Sequence, residues 1–126
     1  MSEKPIRVLV CGGRDFDDRD FIWNTLCDLD MKRGPFSCVI HGAATGADTE
    51  AMIWAQAMAG SGHQVKHLPM AAEWGKYGKS AGPRRNQRMI DEGRPNLVIA
   101  FPGGRGTADM IRRAKAAGLE VLEPKP

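Results

Sequence analysis

Three times along this chain a short, β-branched apolar run stops at glycine and gives way to a segment with helical spacing. Ile6-Arg7-Val8-Leu9-Val10-Cys11 ends at Gly12-Gly13, Cys38-Val39-Ile40-His41 ends at Gly42, and Asn96-Leu97-Val98-Ile99-Ala100-Phe101 ends at Pro102-Gly103-Gly104. Apolar runs of this length belong to strands buried on both faces, the condition of a parallel sheet covered by helices. A weaker run over 64–68 and a short one over 120–122 complete five predicted strands. Helices are predicted over 18–32, capped by Asp17 with Ile22, Leu26 and Leu29 as the buried stripe, and from Ala47 to Ala59. Two more follow, one opening at Gly82-Pro83 and one from Thr107 to Ala117. The stretch 69–80 reads as a loop.

Strands alternating with helices through short connections argue for one α/β domain over 1–126. The expected architecture is Rossmann-like and three-layered, with a five-stranded parallel sheet in the order 3-2-1-4-5. In such a sheet the ligand crevice lies at the carboxyl ends of the strands, where the order reverses, here between the first and fourth strands.

Glycine accounts for 15 of 126 residues, about 12% against a usual roughly 7%, and the surplus sits at those strand ends. The net charge of +3 is too small to imply a nucleic-acid partner by itself. Yet Lys76, Lys79, Arg84, Arg85 and Arg88 fall within thirteen residues that contain no acid. Cys11, Cys27 and Cys38 are odd in number and lie in apolar stretches, as in a reducing, cytoplasmic compartment. Cys38 with His41 is too small a set for zinc, and no metal site is expected. No stretch approaches the roughly 18 apolar residues of a membrane span, and the amino terminus lacks a signal-peptide core.

Each glycine loop has two readings. In Pro102-Gly103-Gly104-Arg105-Gly106-Thr107, bare backbone leading into a helix N-terminus makes a cradle for phosphate, or simply a tight turn. Gly12-Gly13-Arg14-Asp15 allows the same approach, with Arg14 as a phosphate clamp or as a partner of Asp17 or Asp18. Thr45-Gly46-Ala47-Asp48 matches a helix capping box, to which ligand contact by Asp48 would be an added role. Arg84, Arg85 and Arg88 open a helix whose dipole they oppose, which favours a role in binding over a role in stability. Trp74 and Tyr77 stack on a base or pack under the loop. The dinucleotide fingerprint is missing after the first strand, and Gly78-Lys79-Ser80 is a chance match to a nucleotide-triphosphate loop, since Glu73 stands where its first glycine belongs.

Taken together, these blocks resemble the SLOG superfamily, most closely its YspA/cpYpsA-related branch. The resemblance runs from Val8–Phe16 through His41–Asp48, Glu73-Trp74 and Ala81–Met89 to Pro102–Met110. It implies a Rossmann-like fold and binding of a nucleotide, NAD or ADP-ribose derivative. Residues expected to hold that ligand are Gly12, Gly13, Arg14, Gly42, Thr45, Gly46, Asp48, Arg84, Arg85, Asn86, Gly103, Gly104, Gly106 and Thr107. The branch usually carries two glycines at 42–43, and Ala43 departs from that pattern.

Cytokinin-activating phosphoribohydrolases of the same superfamily carry P-G-G-x-G-T-x-x-E and an upstream R-K-x-x-M. Here Arg85 keeps the arginine, Asn86 replaces the lysine, and Met110 stands at the catalytic glutamate. That leaves Arg85 and Asp109 as the candidate catalytic pair if the protein is a hydrolase, and Asp109 is one residue early, about 100° around the helix. The DNA-processing protein A family shares the glycine-rich and Arg-Asn blocks, so single-stranded DNA is the third reading. Superfamily relatives often dimerise, which makes a homodimer one option.

Overall fold

The computed structural model describes residues 5–126. Its strands are β1 (Ile6–Cys11), β2 (Phe36–His41), β3 (Lys66–Pro69), β4 (Leu97–Ala100) and β5 (Glu120–Leu122). Its helices are α1 (Arg19–Arg33), α2 (Ala47–Gly60), α3 (Trp74–Tyr77), α4 (Ala81–Asp91) and α5 (Arg105–Ala116). All strand pairs are parallel and the sheet order is β3-β2-β1-β4-β5, as the alternation predicts.

The pleat sorts β1 and β4 between two cores. Val8, Val10, Leu97 and Ile99 face one side, where Ile22 and Leu26 of α1 and Ala51, Trp54 and Ala55 of α2 cover them. Leu9, Cys11, Val98 and Ala100 face the other, under Met89 and Ile90 of α4 and Met110 and Ala114 of α5. Burial on both faces is why these strands read as unbroken apolar runs. Leu29 is partly buried at the edge of the first cluster.

Some local expectations are corrected. Asp18, not Asp17, caps α1: its Oδ1 accepts the Phe21 N–H at 3.1 Å, the N-cap to N3 bond that a helix starting at Arg19 requires. No capping box forms at α2. Gly46 is the N-cap at φ 75°, where a capping side chain is absent, and Thr45 Oγ1 donates instead to the Arg14 carbonyl at 3.2 Å. β3 is shifted from 64–68 to Lys66–Pro69. The segment 69–80, expected to be a loop, contains α3 and a 3-10 turn at Gly78–Ser80. Four residues are too few to show a helical period in sequence.

Candidate functional site

The loops after β1, β2 and β4 meet at the carboxyl edge of the sheet and enclose a cavity of about 640 Å³. That is the size of a small-molecule site, and it lies where the strand order reverses. The structure brings Gly12, Gly13, Arg14, Gly42, Asp48, Arg85, Asn86, Gly104, Gly106, Thr107 and Asp109 to its walls. Thr45, Gly46, Arg84 and Gly103 stand outside it. Basic side chains outnumber acidic ones on the lining, Arg14, Lys79, Arg85, Arg105 and Arg112 against Asp48 and Asp109.

The glycines divide into two kinds. A Cβ on Gly12 would stand 2.6 Å from Ala47 Cβ, and one on Gly13 would stand 3.1 Å from the Pro102 carbonyl. A Cβ on Gly103 would strike Thr107 Oγ1 and lie 2.7 Å from Gly13 N. These glycines let loops pack on one another. The Gly13 N–H, expected to face a ligand, instead donates to the Pro102 carbonyl at 2.8 Å and ties the first loop to the fourth. Gly104 and Gly106 differ, since a Cβ on either would meet nothing within 4 Å.

Those two open glycines lie at the start of α5. The Ala108 N–H closes the first turn on the Gly104 carbonyl at 3.0 Å, so the N–H groups of Arg105, Gly106 and Thr107 precede the first intrahelical bond. No side chain caps this helix, and no acid occupies its first turn. The positive end of the helix dipole therefore faces the cavity without a protein anion against it.

Arg84 and Arg85 part company. The Arg84 guanidinium turns out over the Tyr77 ring, 4.4 Å from its centroid, and donates to Ser80 Oγ at 3.1 Å. Arg85 turns in: Nη1 donates to the Gly42 carbonyl at 2.6 Å and Nε to Asn86 Oδ1 at 3.1 Å. Among the described residues its Nη2 has no hydrogen-bond partner. Asn86 carries the belt onward, its Nδ2 donating to the Gly106 carbonyl at 3.1 Å and to Asp109 Oδ2 at 3.0 Å. A sequence signal for this split exists. Arg85 lies one turn before Met89, which is buried in the core, whereas Arg84 shares its face with Arg88, which pairs with Glu92.

Asp48 is buried at 6% exposure. Its Oδ2 accepts the N–H groups of Gly42 at 3.1 Å and Ala44 at 3.3 Å, while Oδ1 accepts nothing from the described residues. Trp23 Nε1 is the one sealed and unpartnered side-chain polar atom among those residues, so Asp48 Oδ1 stays open to the cavity. Burial pushes the carboxyl up to about 6, against the opposing pull of the two amides, Arg85 and Arg14. On the cavity floor, burial pushes the Cys11 thiol up to about 12, with the Asp48 charge adding to it, so the thiol stays protonated.

Asp109 is fully engaged. Its carboxylate accepts from Asn86, from Arg113 Nε at 2.8 Å and from Arg112 Nη2 at 3.0 Å. Burial raises its pKa, but the hydrogen bonds from Arg113 and Asn86 and the charges of Arg113 and Arg112 outweigh it and hold the carboxyl below its ordinary value. Met110 points into the core at 1% exposure.

Beside the site, the His41 ring stacks on His67 and its Nε2 meets His67 Nδ1 at 3.2 Å. His41 Nδ1 accepts the N–H of Ala43 at 3.1 Å. Ala43 has φ 58°, the left-handed region that favours glycine. Burial, aided by His67, lowers the His41 pKa to about 4. At the cavity rim, Arg14 lies over the half-exposed Trp74, 5.4 Å from the ring centroid, in place of pairing with Asp17 or Asp18. Arg105 and Arg112 also line the cavity, two positions that no motif in the sequence marks.

Fold and site together define a Rossmann-like α/β protein with a basic cavity at the topological switch point. The chain belongs to the YspA, cpYpsA-related SLOG family, whose model matches residues 6–77. It is 40% identical over 119 residues to the Gene 61 protein of Mycobacterium phage D29, an alignment covering 92% of this chain and 94% of the phage protein. That alignment is long enough to reach past the family match, toward the Arg85 and Gly103–Thr107 blocks.

Proposed function

We propose that this protein binds a phosphate-bearing, nucleotide-derived ligand of the AMP, NAD or ADP-ribose type in the cavity between the β1 and β4 loops. One observation carries the reading: the uncapped α5 N-terminus, Arg85 Nη2 and Asp48 Oδ1 all remain unspent within one cavity. Amides and guanidinium suit a phosphate, the carboxylate suits a hydroxyl, and Trp74 at the rim offers an aromatic face. Free cysteines at 11, 27 and 38 fit a reducing, cytoplasmic setting. No helix among the described residues is long and apolar enough to cross a membrane.

Phosphoribohydrolase chemistry through Arg85 and Asp109 draws less support. Asp109 has no oxygen free of cationic or amide donors, and the neighbouring position is a core methionine. Single-stranded DNA draws less still, because the net charge is only +3 and the chain has a single Tyr.

Thermal shift with AMP, NAD and ADP-ribose tests the proposal. A ligand at 100 times its Kd raises stability by about 2.7 kcal/mol, and Arg85→Ala abolishes the shift. No shift with any of the three at millimolar concentration overturns it.

A further inference from the structure

Asp48 and Arg85 occupy adjoining parts of the cavity wall. Ala47 and Asp48 open α2, and the Asp48 side chain reaches back to hold the two amides of the β2–α2 connection through Oδ2 alone. Arg85 crosses from α4 to the carbonyl of the same Gly42. A Cβ on Gly42 would stand 2.8 Å from Arg85 Cζ and 2.9 Å from Asp48 Oδ2, so both groups close on one face of one residue. Despite this proximity they form no ion pair among the described residues. Each keeps one polar atom for something else.

Two neighbouring groups of opposite character, one accepting and one donating, call for a ligand whose own donor and anion are close together. In a 5′-nucleotide the 3′-hydroxyl is separated from the phosphate only by C3′, C4′ and the C5′ methylene. The base amines lie farther from it, beyond the glycosidic bond and across the base. Inorganic phosphate, a dianion near neutral pH, carries its charge on the same small group that would have to meet the carboxylate, and so faces like charge there. We propose that Asp48 Oδ1 receives a ribose hydroxyl and makes this cavity selective for ribonucleotides over their deoxy counterparts and over inorganic phosphate.

The inference rests on the cavity being the ligand site, and the test separates the two. Affinities of AMP, 2′-deoxyAMP, 3′-deoxyAMP and inorganic phosphate are measured by calorimetry at pH 7.5 on the full chain and on Asp48→Asn. A lost hydrogen bond to a charged group weakens binding roughly 10- to 100-fold, so AMP exceeds at least one deoxy form by that factor in the natural protein. Asp48→Asn retains an oxygen for the two amides, keeps the loop, and binds AMP and that deoxy form alike. If AMP and both deoxy forms bind the natural protein equally, the ribose assignment is overturned while nucleotide binding stands. If Asp48→Asn keeps the full preference, Asp48 is not its source and the assignment is likewise overturned. If no nucleotide binds, both readings fall.

Discussion

Asp48 Oδ2 and Arg85 Nη1 grip opposite ends of the same residue, the first accepting the Gly42 N–H and the second donating to the Gly42 carbonyl. Gly42 thus fixes a carboxylate and a guanidinium side by side with no ion pair between them. A buried charge without an ion-pair partner opposes folding, and the raised pKa of Asp48 records that opposition. Strain of this kind concentrates where a protein binds or reacts.

Asp48 titrates at about 6 in the folded protein against 3.8 in a flexible chain. Its contribution to stability is therefore complete below pH 3.8 and is lost as pH rises through 6. Asn mimics the protonated carboxyl, so Asp48→Asn is more stable than the natural protein above pH 6, by up to about 3 kcal/mol. The gap closes below about pH 4. Urea denaturation at pH 4 and pH 8 measures it, and equal midpoints at pH 8 would contradict the burial argument.

His41 runs the other way. Its folded pKa of about 4 lies below the ordinary 6.5, so stability is complete above pH 6.5 and lost as pH falls toward 4. The cause is burial, aided by His67, and a proton on Nδ1 would also remove the acceptor of the Ala43 N–H, at a residue already held at φ 58°. In the natural protein acid relieves Asp48 while undermining His41, and the two effects mask each other. Against an Asp48→Asn background the His41 loss, about 3 kcal/mol between pH 7 and pH 4, is no longer masked, although Asp109 and Glu120, whose pKa values are also lowered, add to the acid loss. Adding His41→Asn removes the His41 share of that slope and leaves the part due to Asp109 and Glu120, which the same denaturation series reads.

The arginine pair offers a contrast within two adjacent residues. Arg85→Lys keeps a charge but not the fork that spans Gly42 and a ligand, and weakens nucleotide binding roughly tenfold or more. Arg84→Ala leaves Kd within about twofold, because its guanidinium serves Tyr77 and Ser80. Calorimetric titration of both variants with one nucleotide decides between them, and an equal loss at both positions would place the ligand elsewhere.

Sheet order was legible because buried parallel strands leave apolar runs that no surface strand shares, and crossover handedness then allows few topologies. The meeting of the three loops follows from that order alone. The duties of individual residues were less visible. Thr45 and Asp48 have capping-box spacing, yet the chain turns at Gly46 and frees Asp48 for the Gly42 and Ala44 amides. Local spacing does not report such a turn, since it depends on where the carbonyls of Gly13 and Arg14 press against Gly46. Arg84 and Arg85 were indistinguishable as a charge run, although the one-turn spacing from Arg85 to Met89 carried the phase of the helix. Glycine-rich loops, finally, look alike in sequence whether their glycines face a neighbour or open space.

That last distinction yields the sharpest pair of substitutions. Gly103 and Gly106 belong to one motif three residues apart, but a Cβ on Gly103 would collide with Thr107 Oγ1 and press on Gly13 N, whereas one on Gly106 meets no atom within 4 Å. Gly103→Ala forces the first and fourth loops apart and lowers stability by about 1–3 kcal/mol, as overpacking does. Gly106→Ala relieves the entropic cost of glycine in a helix and raises stability by about 0.5–1 kcal/mol. Its new methyl stands on the cavity lining, beside the amides that are to receive the phosphate. Gly106→Ala therefore melts higher yet binds nucleotide less tightly, a combination that general damage to the fold does not produce. Paired melting and calorimetric measurements check it, and tighter or unchanged binding by Gly106→Ala would remove the α5 N-terminus from the site.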